Sequence, residues 1–532
     1  MRELTFFTTN QTKLAHARYV AEGRQIQIKG FRQRTYHAGY VEPRLATRDA
    51  ILQSSYESAK EQLAKAGYSE TSHPFILEDT SVRIEALSSV DTEIPGVDVK
   101  YWMEDQTFAS LDEKLRHAGN DRRALVRSDI LLHVPQSLKM SWGIESDFVL
   151  FTGEQTGSIV QAEHGFSANL VYPWLDNRSF NKWFVPDGAA LPLGALSIGL
   201  ADRLDFRRKS LEQLFDFLEA RFYFSAPRTQ FELALDRRTN IILCGYTCSG
   251  KTTASQHLAR RFGYLHIEAS DFMHLAYYYR HGYRGPTAIG DFAEMALVEK
   301  PTIAAEKIVE YMRVHPGSPI VVSGFRSPEE VAYLEGSLKS MGKAFSRRFV
   351  QAGEDVRFRR LQGRGRPGDD ISLEDFRHRD LQQRRMGLDA IEHSADTLPI
   401  ENDQGLAAYL SAIDVLAANS QGIDTDLASA LARLDEVTEV GLQEAVLIAL
   451  LCVWKSDEAR RFYTTTEIAG LITKALPSVR PKHKDNVSRY FNQDFYAFYE
   501  IKSSTNGIRT YRLSNTGYGM GIRTLRALLK PR

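Results

Sequence analysis

A multidomain α/β protein is what the sequence predicts, on three observations. At 532 residues the chain exceeds what one hydrophobic core usually serves, so two to four domains are expected, each burying its own core. Short apolar runs alternate with helical stretches over most of its length, the pattern of strands and helices packed in layers. Two polar seams, Ser-Ala-Pro-Arg-Thr at 225–229 and Ala-Ala-Asn-Ser-Gln-Gly at 417–422, separate the parts. The expected domains are residues 1–224, 238–416 and 427–532.

Composition narrows the function classes. With 43% hydrophobic and 25% charged residues the chain reads as an ordinary soluble globular protein. A formal net charge of zero excludes a strong overall attraction to nucleic acid or membrane and leaves room for a local one. Cys244, Cys248 and Cys452 show neither metal-ligand spacing nor an even framework, so no disulfide and no zinc site are expected. The longest apolar run, 445–454, is too short to span a bilayer, and a cytoplasmic protein without a membrane partner is expected. No internal repeat or low-complexity segment is present.

In the first part, strands are expected at 4–8, 75–77, 130–133 and 148–151, with a helix over 50–66. Thr8-Thr9-Asn10-Gln11-Thr12-Lys13 follows the first strand and opens a helix, a place where backbone amides and a lysine cradle phosphates. Together with Glu42, Leu-Glu-Asp-Thr at 77–80, Pro-Gly-Val-Asp-Val-Lys at 95–100 and Phe-Val-Pro-Asp-Gly at 184–188, this stretch resembles the inosine triphosphate pyrophosphatase family over most of residues 1–222. That family cleaves non-canonical purine triphosphates to monophosphate and pyrophosphate. The resemblance implies that Thr9, Asn10 and Lys13 meet phosphates. It also implies that Glu42 and Asp79 hold magnesium or orient water, and that Lys100 and Arg207 add positive charge or base contacts. The chain departs from the family at Ser81, at Asp205-Phe206-Arg207 in place of Ser-His-Arg, and at 179–183, Ser-Phe-Asn-Lys-Trp. Phenylalanine lacks the two ring nitrogens of histidine, so the base preference should weaken or change. Hydrolysis and binding without hydrolysis both stay open.

The central part repeats the strand-loop-helix theme, with strands expected at 241–244, 264–267, 319–323 and 345–351, a parallel-sheet pattern. Residues 245–252, Gly-Tyr-Thr-Cys-Ser-Gly-Lys-Thr, lie between an apolar strand and a helix, as a phosphate loop requires. Glycines let several N–H groups point inward, Lys251 supplies a mobile cation, and the Thr252 hydroxyl can join a magnesium shell. No apolar strand ends in the Asp-Glu pair of a hydrolytic ATPase, which favours transfer to a small acceptor. Asp271 sits where a carboxylate receives an acceptor's proton or holds a metal-bound water; capping the following helix is the competing role. Arg357, Arg359, Arg360, Arg364 and Arg366 form a basic segment that either closes over phosphates or is simply solvated. Ile-Glu-Asn-Asp-Gln-Gly at 400–405 reads as a strand end and turn near an adenine.

From 241 to about 413 the chain resembles the nucleoside-monophosphate kinase superfamily, dephospho-coenzyme A kinase and adenylate kinase-like members above all. The matching residues are 245–252, Val-Ser-Gly-Phe-Arg-Ser-Pro-Glu-Glu-Val at 322–331, Arg-Gly-Arg-Pro-Gly-Asp-Asp at 364–370, Phe-Arg-His-Arg-Asp at 376–380 and Ile-Glu-Asn at 400–402. The resemblance implies ATP and Mg2+ bound through Gly245, Ser249, Gly250, Lys251, Thr252 and Thr253. It further implies Asp271 and Arg326 at the acceptor, and lid arginines Arg364 and Arg366 on the transferred phosphate. Relatives often carry Asp-Gly where this chain has Ser323-Gly324, so magnesium positioning or acceptor identity is expected to differ.

In the last part, Thr464-Thr-Thr-Glu467 has capping-box spacing before a helix whose apolar face is Ile468, Leu471, Ile472 and Leu476. A turn at 477–481 precedes a basic helix over 482–491, then two extended runs, 496–502 and 508–513, around Asn506-Gly507. Helix, turn, basic helix and hairpin resemble a winged helix-turn-helix module. From Arg461 to Arg532 there are 13 Lys and Arg against four acids, a balance suited to phosphate backbones. Lys482, Lys484, Arg489, Arg509 and Arg512 are the candidate DNA contacts, Tyr490 and Phe491 are expected in the core, and dimerisation or domain docking is the alternative use.

The leading expectation is an ATP-dependent kinase acting on a nucleotide or nucleotide-like molecule, fused to a divergent pyrophosphatase-like domain that meets a non-canonical purine nucleotide. The alternative is a nucleotide-sensing regulator or defence protein that binds DNA or a partner through its last domain. Both enzyme-like families commonly include dimers, so a homodimer is expected.

Overall fold

The computed structural model describes residues 2–24, 26–31, 48–65, 73–224, 238–284, 288–315, 318–364, 371–417, 427–454, 461–503 and 507–529. Glu42, Arg366 and the Arg364 side chain lie outside the described residues. Two compact units result, Met1–Thr229 with Tyr279–Gly282, and Gln230–Tyr278 with Tyr283–Arg532. Among the described residues no helix is long and apolar enough to cross a membrane.

The first unit is built on seven strands: β1 (Arg2–Phe7), β2 (Ile26–Gly30), β3 (Phe75–Ile84), β4 (Pro95–Gly96), β5 (Arg123–His133), β6 (Phe148–Ile159) and β7 (Phe184–Pro186). Their order is β2-β1-β3-β5-β6-β7, with β4 on β3. β1 pairs in parallel with β2 and β3, and the remaining pairs are antiparallel. Alternation along the strands gives each face its own core. Leu4, Phe6, Ile76, Ile130 and Leu132 meet Leu14 and Ala17 of the helix Gln11–Val20 and Leu211, Leu214 and Phe215 of the helix Phe206–Ala220. Phe7, Phe75, Leu77 and Leu131 meet Leu52, Tyr56, Ala59 and Leu63 of the helix Arg48–Lys65. β3, β5 and β6 run on well beyond their apolar starts, through Glu78, Ser128 and Gln155, which are buried and hydrogen-bonded inside the fold.

The second unit holds five parallel strands, β8 (Asn240–Cys244), β9 (Leu265–Glu268), β10 (Ile320–Ser323), β11 (Phe345–Gln351) and β12 (Thr397–Glu401), in the order β12-β11-β8-β10-β9. β8 is central and buried over all five residues, as a strand covered on both faces must be. Its core partners are Ala254, Leu258 and Phe262 of the helix Lys251–Phe262 and Tyr409 and Ile413 of the helix Leu406–Leu416.

The same unit continues through helices Leu442–Val453, Thr465–Ala475 and Lys484–Gln493, the antiparallel hairpin β13 (Tyr499–Ser503) and β14 (Arg509–Leu513), and the helix Asn515–Leu528. Thr464 and Glu467 form the expected reciprocal cap. Asn506 lies outside the described residues, while Gly507 takes φ +80° at the hairpin. The last helix approaches β9 so closely that a Cβ on Gly519 would lie 2.8 Å from the His266 carbonyl oxygen.

Candidate active sites

The loop after β8 owes its shape to three left-handed residues: Gly245 at φ +143°, Cys248 at +62° and Gly250 at +111°. A Cβ on Gly250 would stand 2.2 Å from the Asn402 amide nitrogen, so close packing as well as backbone angle demands glycine there. Three of the loop carbonyls are tied by donors from neighbouring elements. Arg357 Nη1 donates to Thr247 O at 3.3 Å, Asn402 Nδ2 to Ser249 O at 2.6 Å, and Tyr409 Oη to Gly250 O at 3.1 Å. Arg360 donates to Ser249 O at 3.4 Å and to Asn402 O at 2.7 Å. A bend whose carbonyls are tied outside presents its amides inside, the arrangement that grips phosphate. No side chain caps the helix Lys251–Phe262, because Gly250 holds the N-cap, so the amides of Lys251, Thr252 and Thr253 are those of a first turn open to an anion.

Lys251 Nζ donates to the carbonyls of Gly245 and Tyr246 at 2.6 and 2.7 Å. Burial pushes its pKa down to about 8; nearby Glu268 opposes the shift and Arg326 adds to it. The Ser249 hydroxyl is fully buried and has no hydrogen-bond partner among the described residues.

Across from this loop, β9 ends in Glu268, a buried carboxylate accepting from the Ser323 hydroxyl at 2.7 Å. Burial opposes its charge, but His266, Ser323 and Lys251 outweigh that and hold its carboxyl below the usual range. Gly324 follows β10 at φ +96°, where a Cβ would lie 2.1 Å from Glu268 Oε1. Arg326, Ser270, Met273, His274, Ile289 and Glu330 line a cavity of about 150 Å3. The Arg326 guanidinium makes no hydrogen bond among the described residues, and burial pulls its pKa below the ordinary value. Burial raises Glu330 to about 7 although it accepts backbone amides of Arg326 and Ser327.

Asp271 sits in the first turn of the helix Ala269–His281, and its carboxylate accepts the amide of Thr516 at 2.8 Å. Burial first, and Glu268 second, push its pKa up to about 8. Of the basic segment, Arg357 is buried against Asp380 at 2.6 and 3.1 Å, Arg360 braces the phosphate loop, and Arg359 is exposed. Sequence reasoning missed Asn402, Tyr409 and Glu268 as loop or site neighbours. Only Asn402 had a signal, in the strand end at 400–402.

In the first unit, the Asn10 side-chain oxygen caps the helix Gln11–Val20 through the amides of Thr12 and Lys13, at 2.9 and 3.3 Å. Lys13 Nζ reaches the Glu78 carboxylate at 3.0 Å. Arg207, in the turn capped by Asp205, reaches Glu78 at 3.2 Å and Thr80 at 2.9 Å. Ser128 completes the set with a 2.8 Å bond to Glu78. Burial opposes the Glu78 charge, yet Arg207 and Lys13 hold its carboxyl far below the usual range. The structure thus gathers Lys13 and Arg207 around Glu78, while Asn10 caps the helix that carries Lys13. Asp79, its neighbour on β3, alternates to the other face of the strand and is half-buried. Thr9 and Lys100 are exposed, and Phe206 is buried.

At the C-terminal end, Lys484 and Arg489 are exposed on one helix, whereas Lys482 donates to Val440 O at 3.4 Å. Arg509 bonds Asn492, and Arg512 pairs with Glu500 at 2.9 Å. Tyr490 and Phe491 are buried, as expected.

The Ham1 family matches residues 4–217, and an AAA domain matches residues 241–383. The chain therefore carries a Ham1-like domain at its N-terminus followed by a P-loop kinase-like domain. Among solved structures, a HAM1 protein from Coxiella burnetii is 20% identical, covering 41% of this chain and 98% of its own, at a TM-score of 0.32. A gluconokinase from Sinorhizobium meliloti is 18% identical, covering 35% of this chain and 94% of its own, at a TM-score of 0.25. The UPF0200 protein of Hyperthermus butylicus is 31% identical over 160 residues, 30% of this chain and 83% of that protein. With 32% identity over 166 residues, 31% of its own length and 89% of the UPF0200 protein of Pyrobaculum aerophilum, the chain belongs to the UPF0200 family.

Proposed function

We propose that the second unit is an ATP-dependent kinase that phosphorylates a hydroxyl of a nucleotide or nucleotide-like molecule. The observation that carries this reading is the state of Lys251: its ammonium rests on two neutral carbonyls of a loop in which the carbonyls of Thr247, Ser249 and Gly250 are tied by donors from other elements. Carbonyls are weak competitors for an ammonium, so triphosphate oxygens take their place at little cost. The amides of Gly250, Lys251, Thr252 and Thr253 and the buried hydroxyl of Ser249 then surround the β- and γ-phosphates.

Magnesium fits the donor chemistry here, since the Thr252 hydroxyl and the orphaned, buried Ser249 hydroxyl are oxygen donors of the kind this ion prefers. When bound, the ion supplies charge neutralisation across the phosphates. The protein's own residues do the remainder. Arg326 holds an anionic group of the acceptor inside the cavity it lines, and Asp271, next in sequence to the lining residue Ser270, takes the hydroxyl proton, its raised pKa suiting it to accept a proton just above neutrality. The acceptor oxygen bonds the γ-phosphorus as the bond to the bridging oxygen breaks, and ADP leaves. Lid arginines Arg364 and Arg366 neutralise the transferred group.

The first unit, on this reading, binds a non-canonical nucleoside triphosphate through Thr9, Asn10, Lys13 and Arg207, with Lys100 contributing charge and Asp79 and Glu42 holding its metal. The C-terminal elements act as a winged helix-turn-helix module, with Lys484 and Arg489 presented to DNA and Lys482, Arg509 and Arg512 committed in part to protein contacts. A homodimer in the cytoplasm completes the proposal. Screening nucleosides, nucleoside monophosphates and dephospho-coenzyme A with radiolabelled ATP tests the kinase reading. Label should pass to at least one acceptor; hydrolysis to free phosphate with every one of them would overturn it.

A further inference from the structure

The helix Asn515–Leu528 packs along β9 and reaches Asp271 through Thr516. Thr516 donates its amide to the Asp271 carboxylate at 2.8 Å and accepts the Glu268 amide on its hydroxyl at 3.0 Å. These residues are buried, at 0, 9 and 7% exposure, and 245 positions separate Thr516 from Asp271. The approach is built into the helix. Ser514 spends its hydroxyl on the Gly517 amide at 2.9 Å, which leaves the second-position amide of the helix for Asp271. A Cβ on Gly517 would sit 2.0 Å from the Phe498 carbonyl oxygen, and one on Gly519 would sit 2.8 Å from that of His266. Glycine at both places lets the helix lie against its own hairpin and against β9 together. Glu268 and Glu500 both repel the Asp271 carboxylate, and the Thr516 bonds oppose that repulsion.

We propose that Thr516 is a positioning residue of the phosphotransfer site, its amide and hydroxyl fixing the Asp271 carboxylate and the end of β9, so that the C-terminal module completes the kinase. This inference rests on the kinase reading above. A proton acceptor must lie within hydrogen-bond reach of the proton it takes, and losing one anchor lets the carboxylate turn away. The contact also gives the C-terminal module a route to the chemistry: any partner that draws the helix off β9 releases Asp271.

The test uses the full chain and three variants. Thr516→Ser keeps both bonds, Thr516→Val removes the hydroxyl alone, and Thr516→Pro removes the amide as well as the hydroxyl, at a first-turn position where proline is tolerated. Phosphate transfer is measured per ATP site, the sites being counted by titration with a non-hydrolysable ATP analogue. Thr516→Ser should stay within about twofold of the unsubstituted protein, while Thr516→Val and Thr516→Pro lower kcat about 10- to 100-fold with analogue affinity unchanged. Undiminished kcat in Thr516→Val and Thr516→Pro overturns the proposal, and so does a loss that only follows a fall in the number of analogue sites. Should Thr516→Pro not fold, the Ser and Val pair decides. Lys251→Ala separates the two readings. If it turns over as fast as the parent, the kinase reading fails and this inference falls with it. If it is inactive while Thr516→Val is fully active, the inference alone is wrong.

Discussion

The loops after β1 and β8 differ in what holds their lysines. Lys251 leans on carbonyls, whereas Lys13 is paired with a carboxylate that is 1% exposed and that Arg207 also grips. Both loops follow the first strand of their sheet and open a helix, so backbone placement alone would rate them equal. The partner makes the difference. On the proposed reading, a triphosphate entering the second unit would displace neutral oxygens, while one entering the first would compete with an ionised Glu78 for both cations. A loop of the right shape is therefore not enough to grip phosphate; its cation must also be held loosely.

The largest effect expected from this contrast is at Lys251. Lys251→Ala should lower acceptor-dependent transfer by at least about 100-fold, as loss of a group that stabilises developing charge does, whereas Lys13→Ala should leave that transfer untouched. Steady-state kinetics of both variants on the full chain check this; a Lys251→Ala protein within tenfold of the parent would erase the distinction.

Next in size is Glu78→Gln. Removing one partner of a buried ion cluster costs about 3–5 kcal/mol, read as a lower unfolding midpoint. Because the folded pKa of Glu78 is depressed, its stabilisation is present above about pH 4 and is lost as pH falls below that, so Glu78→Gln should also flatten the acid side of the stability curve. With Lys13 and Arg207 released, triphosphate binding to the first unit should tighten even as the fold weakens. Calorimetric titration with inosine triphosphate measures it, and unchanged binding would show that Glu78 is no competitor.

Gly250→Ala comes third. The methyl group would meet Asn402 Nδ2 at 2.2 Å at a φ of +111°, so the substitution should cost about 1–3 kcal/mol and weaken ATP binding by displacing the Asn402 brace. Gly23, at φ +81° with open space around it, supplies the contrast: the same change there meets no neighbour and should leave ATP affinity unaltered. Differential scanning calorimetry with and without ATP separates the two.

Much of this architecture was legible in the sequence, for reasons that differ by region. β8 and β10 are fully buried parallel strands, so they read as apolar runs, and residues 245–252 fall between strand and helix as the motif requires. β3 and β5 were legible only at their apolar stretches. Their continuation through Glu78 and Ser128 depends on polar side chains satisfying one another inside the fold, which hydrophobic periodicity does not register. The same limit hid the choice between Glu78 and Asp79: adjacent on a strand, they point to opposite faces, and only the pairing of β3 shows which one meets Lys13. Asp271 was read as an acceptor group or as the cap of its own helix; its carboxylate also accepts from a helix 245 residues away, a relation no local pattern carries.

The smallest expected effect is a proton. In the nucleotide-free protein burial lowers Lys251 to about 8, so the side chain is largely charged at pH 7 and largely neutral at pH 9. A polyanion restores the ammonium, so ATP binding should take up little proton at pH 7 and approach one proton per site at pH 9. The sign for affinity follows by linkage: binding weakens as pH rises through about 8, by up to about tenfold per unit above it. Titration calorimetry in buffers of different ionisation heat reads the uptake directly. Lys251→Arg, which keeps its charge throughout this range, should abolish it. The first unit provides the control, because mutation of Lys13 should leave the ATP-linked proton in place. Uptake that survives in Lys251→Arg would locate the titrating group elsewhere, with Asp271 and Glu330, raised to about 8 and about 7, next in line.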